Sequence, residues 1–255
     1  MLNDYRPINL CNTVYKVVLK IVVARLRPYL DKLISPCQTA FVLGKKGIDN
    51  AIIVQEVIHT LSKKKGKVGY MALKINLKKV CDKLEWSFIR DMLMRVNMPM
   101  DLVDIIMSCV TTISTLIIFN GEALEPIYSS KGIRQGDSLS PYLFILCMNF
   151  LGKLIEEKCS TNLWRPIKVS QRGPSISHLM FTDDFVFFAK ADHVNCSTIR
   201  DVLNFFCNMS WQTISEAKLR VFFSPNVDRD NREAFCDILG FASTPCLGKC
   251  LGIPI

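Results

Sequence analysis

Between residues 178 and 190 the chain reads HLMFTDDFVFFAK, two apolar runs with Asp183 and Asp184 at the tip between them. Ser175 to Phe181 and Phe185 to Ala189 read as short strands, which places the aspartates at the turn of a hairpin. Adjacent carboxylates repel, and strands this apolar offer them no counter-charge, so the pair draws toward a cation. Mg²⁺ takes oxygen ligands and suits phosphoryl transfer, where two ions activate an attacking hydroxyl and stabilise a departing pyrophosphate. By itself, though, Asp-Asp is an ordinary turn dipeptide, and taken alone that is the commoner reading.

Outward from the hairpin, the pattern is mixed. Apolar side chains at Val14, Val17, Val18, Ile21 and Val22 after Asn12 predict an amphipathic helix over 12–34, with Asn12 as cap and a bend at Pro28. Residues 35–48 read as a loop, and Asp49 or Asn50 as the cap of a helix through Leu61. Val68 to Asn76 reads as a strand, Trp86 to Val96 and Met100 to Val110 as helices separated by Pro99, and Thr111 to Phe119 as a strand. Asn120-Gly121 is a two-residue hairpin signal, so the chain to Ser130 should return antiparallel. A loop from Lys131 to Asp137 leads to a long helix from Pro141 capped by Ser140. His193 to Asn208 reads as a helix and Leu219 to Ser224 as a strand. Helices interleaved with antiparallel hairpins define an α+β fold.

Composition narrows the function classes. With 255 residues, 49% hydrophobic and 22% charged, the chain can bury a core and is too apolar to be mostly disordered. Eleven cysteines include no CxxC pair, and with only His59, His178 and His193 they outline no zinc site; most read as small core residues in a reducing compartment. The amino-terminal MLNDYRPINL is no secretory signal, and the apolar stretches are interrupted before they reach a membrane span. The net charge of +9 is uneven. Residues 1–100 hold 18 Lys and Arg against 7 Asp and Glu, and residues 101–255 hold 14 against 16. A basic first half suits attraction to a polyanion, although a solvated basic face has the same composition.

Several segments in fixed order resemble a known family. DYRPINL at 4–10, QTAFVLGKKGIDN at 38–50, KINLKKVCDKLEW at 74–86, SKGIRQGDSLSPYLF at 130–144, FTDD at 181–184, SWQTISEAK at 210–218 and CLGIP at 250–254 are similar to motifs of reverse transcriptase domains. The resemblance covers essentially the whole chain and is nearest to the plant LINE-type, non-LTR retrotransposon group. It implies a right-hand polymerase with fingers and palm. The whole of 1–255 would be one reverse transcriptase domain, about 1–67 fingers-like and about 68–255 mostly palm with interleaved fingers elements. The implied activity is RNA-directed DNA polymerase with RNA template, DNA primer and dNTPs as partners, two Mg²⁺ ions, no membrane, and an intracellular site, nuclear or cytoplasmic. Asp183 and Asp184 would bind metal, and Lys218 would protonate the leaving pyrophosphate. Arg134, Gln135 and Gly136 would meet template and incoming nucleotide, Lys45 and Lys46 the triphosphate, and Arg6 nucleic acid phosphates; each basic residue alone also reads as surface.

Departures from the family pattern are informative. The family carries Asp where this chain has Asn76, the third metal carboxylate, and an aromatic sugar gate where it has Cys81. Asn76 keeps a carbonyl oxygen but adds no negative charge. Ser138 stands for Pro, Trp211 for Gly, Ser215 for Asn, Cys250 for Tyr, Leu43 for Pro and Thr182 for Ala. Relative to the family, the resemblance also leads to the expectation of no upstream endonuclease and of a thumb that is absent or truncated. These features lead to the expectation of a degenerate fragment with impaired or lost activity. The alternative is a non-catalytic nucleic-acid-binding remnant.

Overall fold

The computed structural model describes residues 12–42, 44–78, 80–112, 114–170, 172–182, 184–215, 219–250 and 253–254. In chain order the elements are α1 (Thr13–Leu33), α2 (Gly47–Ser62), β1 (Tyr70–Asn76), α3 (Val80–Lys83), α4 (Trp86–Arg95), α5 (Met100–Thr111), β2 (Ser114–Thr115), β3 (Ile118–Phe119), β4 (Glu122–Ala123) and β5 (Ile127–Tyr128). They continue with α6 (Ser140–Ser160), β6 (Ile167–Lys168), β7 (Ser175–Ile176), β8 (His178–Phe181), β9 (Asp184–Lys190), α7 (His193–Ser210), β10 (Arg220–Phe223), α8 (Arg229–Leu239), β11 (Ala242–Ser243), β12 (Lys249–Cys250) and β13 (Ile253–Pro254). Two compact units result, one of residues 1–34 and 79–148, the other of residues 35–78 and 149–255. Both draw on residues from either side of residue 67, and α6 begins in the first unit and ends in the second.

The first unit is helical with small hairpins. Asn12 caps α1 by accepting from the Tyr15 amide at 2.8 Å. Leu19, Val22, Leu26 and Leu30, spaced three and four apart, form its buried stripe, whereas Val14, Val17, Val18 and Ile21, expected on the apolar face, are exposed; of that expected face only Val22 is buried, because the buried side of the helix is set by what packs against it. The helix runs through Pro28 to Leu33. The strand expected over 111–119 is split: α5 takes Thr111, and β2 and β3 are two residues each. Asn120 and Gly121, at φ +51° and +85°, make the turn that joins β3 to β4.

The second unit is built on a five-stranded sheet in the order β11-β10-β1-β9-β8, antiparallel except for β10 with β11. Phe185 to Ala189 of β9 are all buried, because β9 lies between β1 and β8 with side chains packed on both faces. On one face Val54, Val57 and Leu61 of α2 pack with Ala72, Leu179, Val186 and Phe188. Trp164 is fully buried, its indole N–H donating to the Phe188 carbonyl at 3.0 Å.

Two helices differ from the sequence expectation. α2 begins at Gly47 rather than after Asp49 or Asn50, with no side-chain cap. The Asn50 amide is committed elsewhere, donating to the carbonyls of Cys37 at 3.0 Å and Met180 at 3.2 Å, and so ties the 35–46 loop and β8 to the helix. Gly47 is needed there because a Cβ would collide with the Phe181 ring. The second difference is α8, a helix not anticipated although Asp228 caps it on the Asn231 amide at 2.8 Å and Gly240 ends it. Of the cysteines, Cys109, Cys147 and Cys196 are buried, Cys246 is exposed, and Cys37, Cys81, Cys159, Cys207 and Cys236 are half-buried; all are free thiols. The core reading of the cysteines thus holds for three of these nine.

Candidate active site

β8 and β9 form a hairpin as expected, with two corrections: the strand expected over 175–181 is split, Ser175 and Ile176 pairing with β6 instead, and Asp184 is not at the tip but opens β9, paired to Phe181, which leaves Thr182 at the tip. Asp183, Lys218, Arg6 and Leu43 lie outside the described residues. β1 is the neighbour of β9 on its other side, and the register sets Asn76 directly opposite Asp184. The Asn76 side-chain amide donates to Oδ1 of Asp184. Two residues back on the same face of β1, the Lys74 ammonium lies 3.8 Å from that same oxygen, and it also donates to the Lys249 carbonyl. Lys74 and Asp184 side chains are 12% and 19% exposed, so the pair is largely withdrawn from water.

The backbone beyond β1 is held by the segment that follows α7. The Ser215 amide donates to the Asn76 carbonyl at 2.9 Å, and the Lys78 amide to the Thr213 carbonyl at 2.8 Å. Thr213 and Ser215 of the 210–218 motif are thereby brought alongside the end of β1. Lys74 was not singled out by sequence reasoning; its signal was its i, i+2 relation to Asn76 on a strand.

These described groups do not fit a divalent cation as they stand. Asn76 turns its N–H₂ to Asp184, and presenting its oxygen instead would lose that bond and set two acceptors against each other. The charge on Asp184 is already met by an ammonium. Among the described residues no group of three His, Cys, Asp or Glu side chains converges.

Lys45 also sits differently from a simple phosphate contact. Its ammonium donates to the carbonyls of Ser35 at 3.0 Å and Gln38 at 3.2 Å, fastening the loop in front of α2. Lys46 is exposed at the amino end of α2.

In the first unit the 131–137 loop docks on α3. The Ile133 amide donates to the Cys81 carbonyl at 2.7 Å, the Gly132 amide to Leu84 at 2.8 Å, and the Trp86 indole N–H to the Gly132 carbonyl at 2.8 Å. Gly132, at φ +88°, has no room for a side chain, since a Cβ would lie 2.7 Å from the Asp82 carbonyl oxygen. Gln135 donates to Asp82 Oδ1 at 2.9 Å. Asp82 is therefore occupied within this unit, and Cys81, Arg134, Gln135 and Gly136 are brought together as one structural piece. Gly136 is at φ +90°. Asp137 is 8% exposed, and its carboxyl is pushed up by burial against the opposing hydrogen bonds of the Leu139 amide and the Tyr15 hydroxyl.

An antiparallel sheet that carries an aspartate hairpin beside the end of its central strand has the form of a nucleic-acid polymerase palm. Residues 2–243 match the reverse transcriptase (RNA-dependent DNA polymerase) family, and the chain belongs to that family. Over 69 residues it is 45% identical to an uncharacterized mitochondrial protein of Arabidopsis thaliana, covering 27% of this chain and 57% of that one. Over 188 residues it is 28% identical to the Pol polyprotein from a type-2 retrotransposable element of Drosophila melanogaster, covering 73% of this chain and 17% of the polyprotein. In fold it is similar to telomerase of Candida tropicalis solved with a fragment of telomeric RNA, with a TM-score of 0.59 at 12% identity over 84% of this chain and 34% of the telomerase chain. The chain thus spans less than two thirds of each of these proteins. No helix among the described residues is long and apolar enough to cross a membrane.

Proposed function

We propose that this chain is the reverse transcriptase domain of a non-LTR retrotransposon, a template-directed nucleotidyl transferase by descent, whose chemistry is impaired or lost in this copy. The observation that carries the impairment is the Asn76 amide donating to Asp184. A carboxylate at residue 76 would add the charge that a pair of Mg²⁺ ions at Asp183 and Asp184 requires in the two-metal reaction assigned to the family. The amide withholds that charge. A loss of about 4 kcal/mol of transition-state stabilisation corresponds to roughly a thousandfold slower reaction. Cys81 in place of an aromatic weakens discrimination between ribose and deoxyribose. Arg134, Gln135 and Gly136 face template and incoming dNTP, with Lys46, Lys218 and Arg6 as further phosphate contacts. Plant origin is supported by the 45% identity with the Arabidopsis protein.

Primer extension on a primed RNA template with Mg²⁺ and dNTPs tests this reading. The unmodified chain is expected to match an Asp183→Ala blank, and Asn76→Asp to extend above it. Extension by the unmodified chain above the blank would overturn the impairment. A second reading, a non-catalytic nucleic-acid-binding remnant, is favoured by Lys74 already neutralising Asp184. Salt-dependent RNA binding, with no synthesis from either the unmodified chain or Asn76→Asp, would select it.

A further inference from the structure

Tyr15, far away in sequence, meets Arg134 and Asp137 at the two ends of the 134–136 loop. The Tyr15 hydroxyl, on α1, donates to the Cys109 carbonyl in the last turn of α5 at 2.7 Å and to Oδ2 of Asp137 at 3.2 Å, sharing one proton between two acceptors. The other carboxylate oxygen of Asp137 accepts from the Leu139 amide at 3.1 Å, just before α6. The Arg134 guanidinium carbon stands 5.7 Å from the centroid of the Tyr15 ring, within cation–π range. Tyr15 therefore touches both ends of the loop, Arg134 through its ring and Asp137 through its hydroxyl.

Such an arrangement is more than packing. Removing a carboxylate from water costs stability, and an apolar pair could fill the same space at less cost. What Asp137 secures with its two oxygens is direction: one fixes the start of α6, the other fixes the loop to α1. Joining Tyr15 to Asp137 also closes 122 residues of chain, so the contact forms only in the folded protein.

We propose that Tyr15 is a positioning residue for the Arg134–Gly136 loop, holding it through Asp137 and Arg134 in the conformation that receives an incoming nucleotide. This rests on the reading of that loop given under the proposed function. Tyr15 itself touches no substrate; it acts through its two neighbours.

The test uses the full chain and its Tyr15→Phe variant, which keeps the ring against Arg134 and removes only the hydroxyl. Hydrogen exchange at the Leu139 amide is expected to speed up about tenfold in the variant, because Asp137 loses one of its two anchors. Binding of a fluorescent deoxynucleoside triphosphate, with a primed RNA template present, is expected to weaken about five- to tenfold. Binding of the primed template alone is expected to stay within about twofold. Adding Asp137→Asn to Tyr15→Phe should weaken nucleotide binding no further than the stronger single effect. Unchanged exchange at Leu139 would remove the clamp. Faster exchange with unchanged nucleotide affinity would reduce it to a purely structural contact and overturn the proposal. If the unsubstituted chain takes up neither template nor nucleotide, the polymerase reading itself fails, a result visible in the parent and not only in the variant.

Discussion

Asn76 and Asp184 face each other across β1 and β9, joined by a hydrogen bond from the asparagine amide to the aspartate carboxylate. An aspartate at residue 76 would put two carboxylates in that place. Asn76→Asp is therefore expected to lower stability by about 1–2 kcal/mol without divalent ions and to recover it when Mg²⁺ or Mn²⁺ is added, whereas the unsubstituted chain responds little to either ion. Thermal melts with and without the ions measure this. A melting temperature in the unsubstituted chain that climbs as steeply with Mg²⁺ as that of the variant would contradict it.

Lys74 supplies the positive charge at the same oxygen. Lys74→Gln is expected to cost about 1–2 kcal/mol, more than an exposed ion pair, because both side chains are largely withdrawn from water. Combined with Asp184→Asn, the loss should be smaller than the two single losses together. Urea denaturation of the four proteins checks the coupling, and strict additivity would show that the two residues act independently.

Trp211 stands just past α7 in the left-handed conformation, at φ +56° and ψ 22°, where the family pattern has glycine. The residue is 64% exposed, so removing the indole gives up only a minor part of its burial. Trp211→Gly is expected to raise stability by about 1 kcal/mol, since glycine adopts this conformation without a Cβ penalty. Chemical denaturation reads the effect; a destabilised variant would mean that the indole contributes packing that outweighs the backbone strain.

His178 is fully buried on β8. Its Nδ1 pairs with the Ser177 hydroxyl at 2.9 Å and its Nε2 has no hydrogen-bond partner among the described residues. Burial lowers its pKa from 6.5 to about 4. The folded chain keeps the ring neutral while the unfolded chain takes up a proton, so this residue's contribution is intact above about pH 6.5 and declines as pH falls toward 4. The whole change is about 3 kcal/mol. His178→Gln should flatten that part of the stability profile between pH 4 and 6.5. An unaltered slope in the variant would place the acid sensitivity elsewhere.

Local order was legible wherever one periodicity or one cap governs a segment. Asn12 before an apolar stripe, Asn120-Gly121 between short strands, and the apolar runs around the aspartates each describe an element that depends on its own residues. The start of α2 was not legible, because Asn50 looks like a cap and is spent on Cys37 and Met180 instead. α8 carries its own local signals in Asp228 and Gly240.

For the site, the ordered motifs point by resemblance to Asp183, Asp184, Asn76 and the 134–136 loop, because residue type and spacing along the chain are enough to recognise a pattern. The chain alone also sets an asparagine at residue 76, where that resemblance leads one to expect a carboxylate. Only the tertiary structure decided how that gap is filled, by an amide turned toward Asp184 and the ammonium of Lys74. It also decided that Tyr15 holds Asp137, 122 positions further along the chain. Hydrogen bonds and charge pairs depend on distances of a few ångströms in space, and the register of a sheet and the packing of helices set those distances between residues whose separation in sequence carries no trace of them.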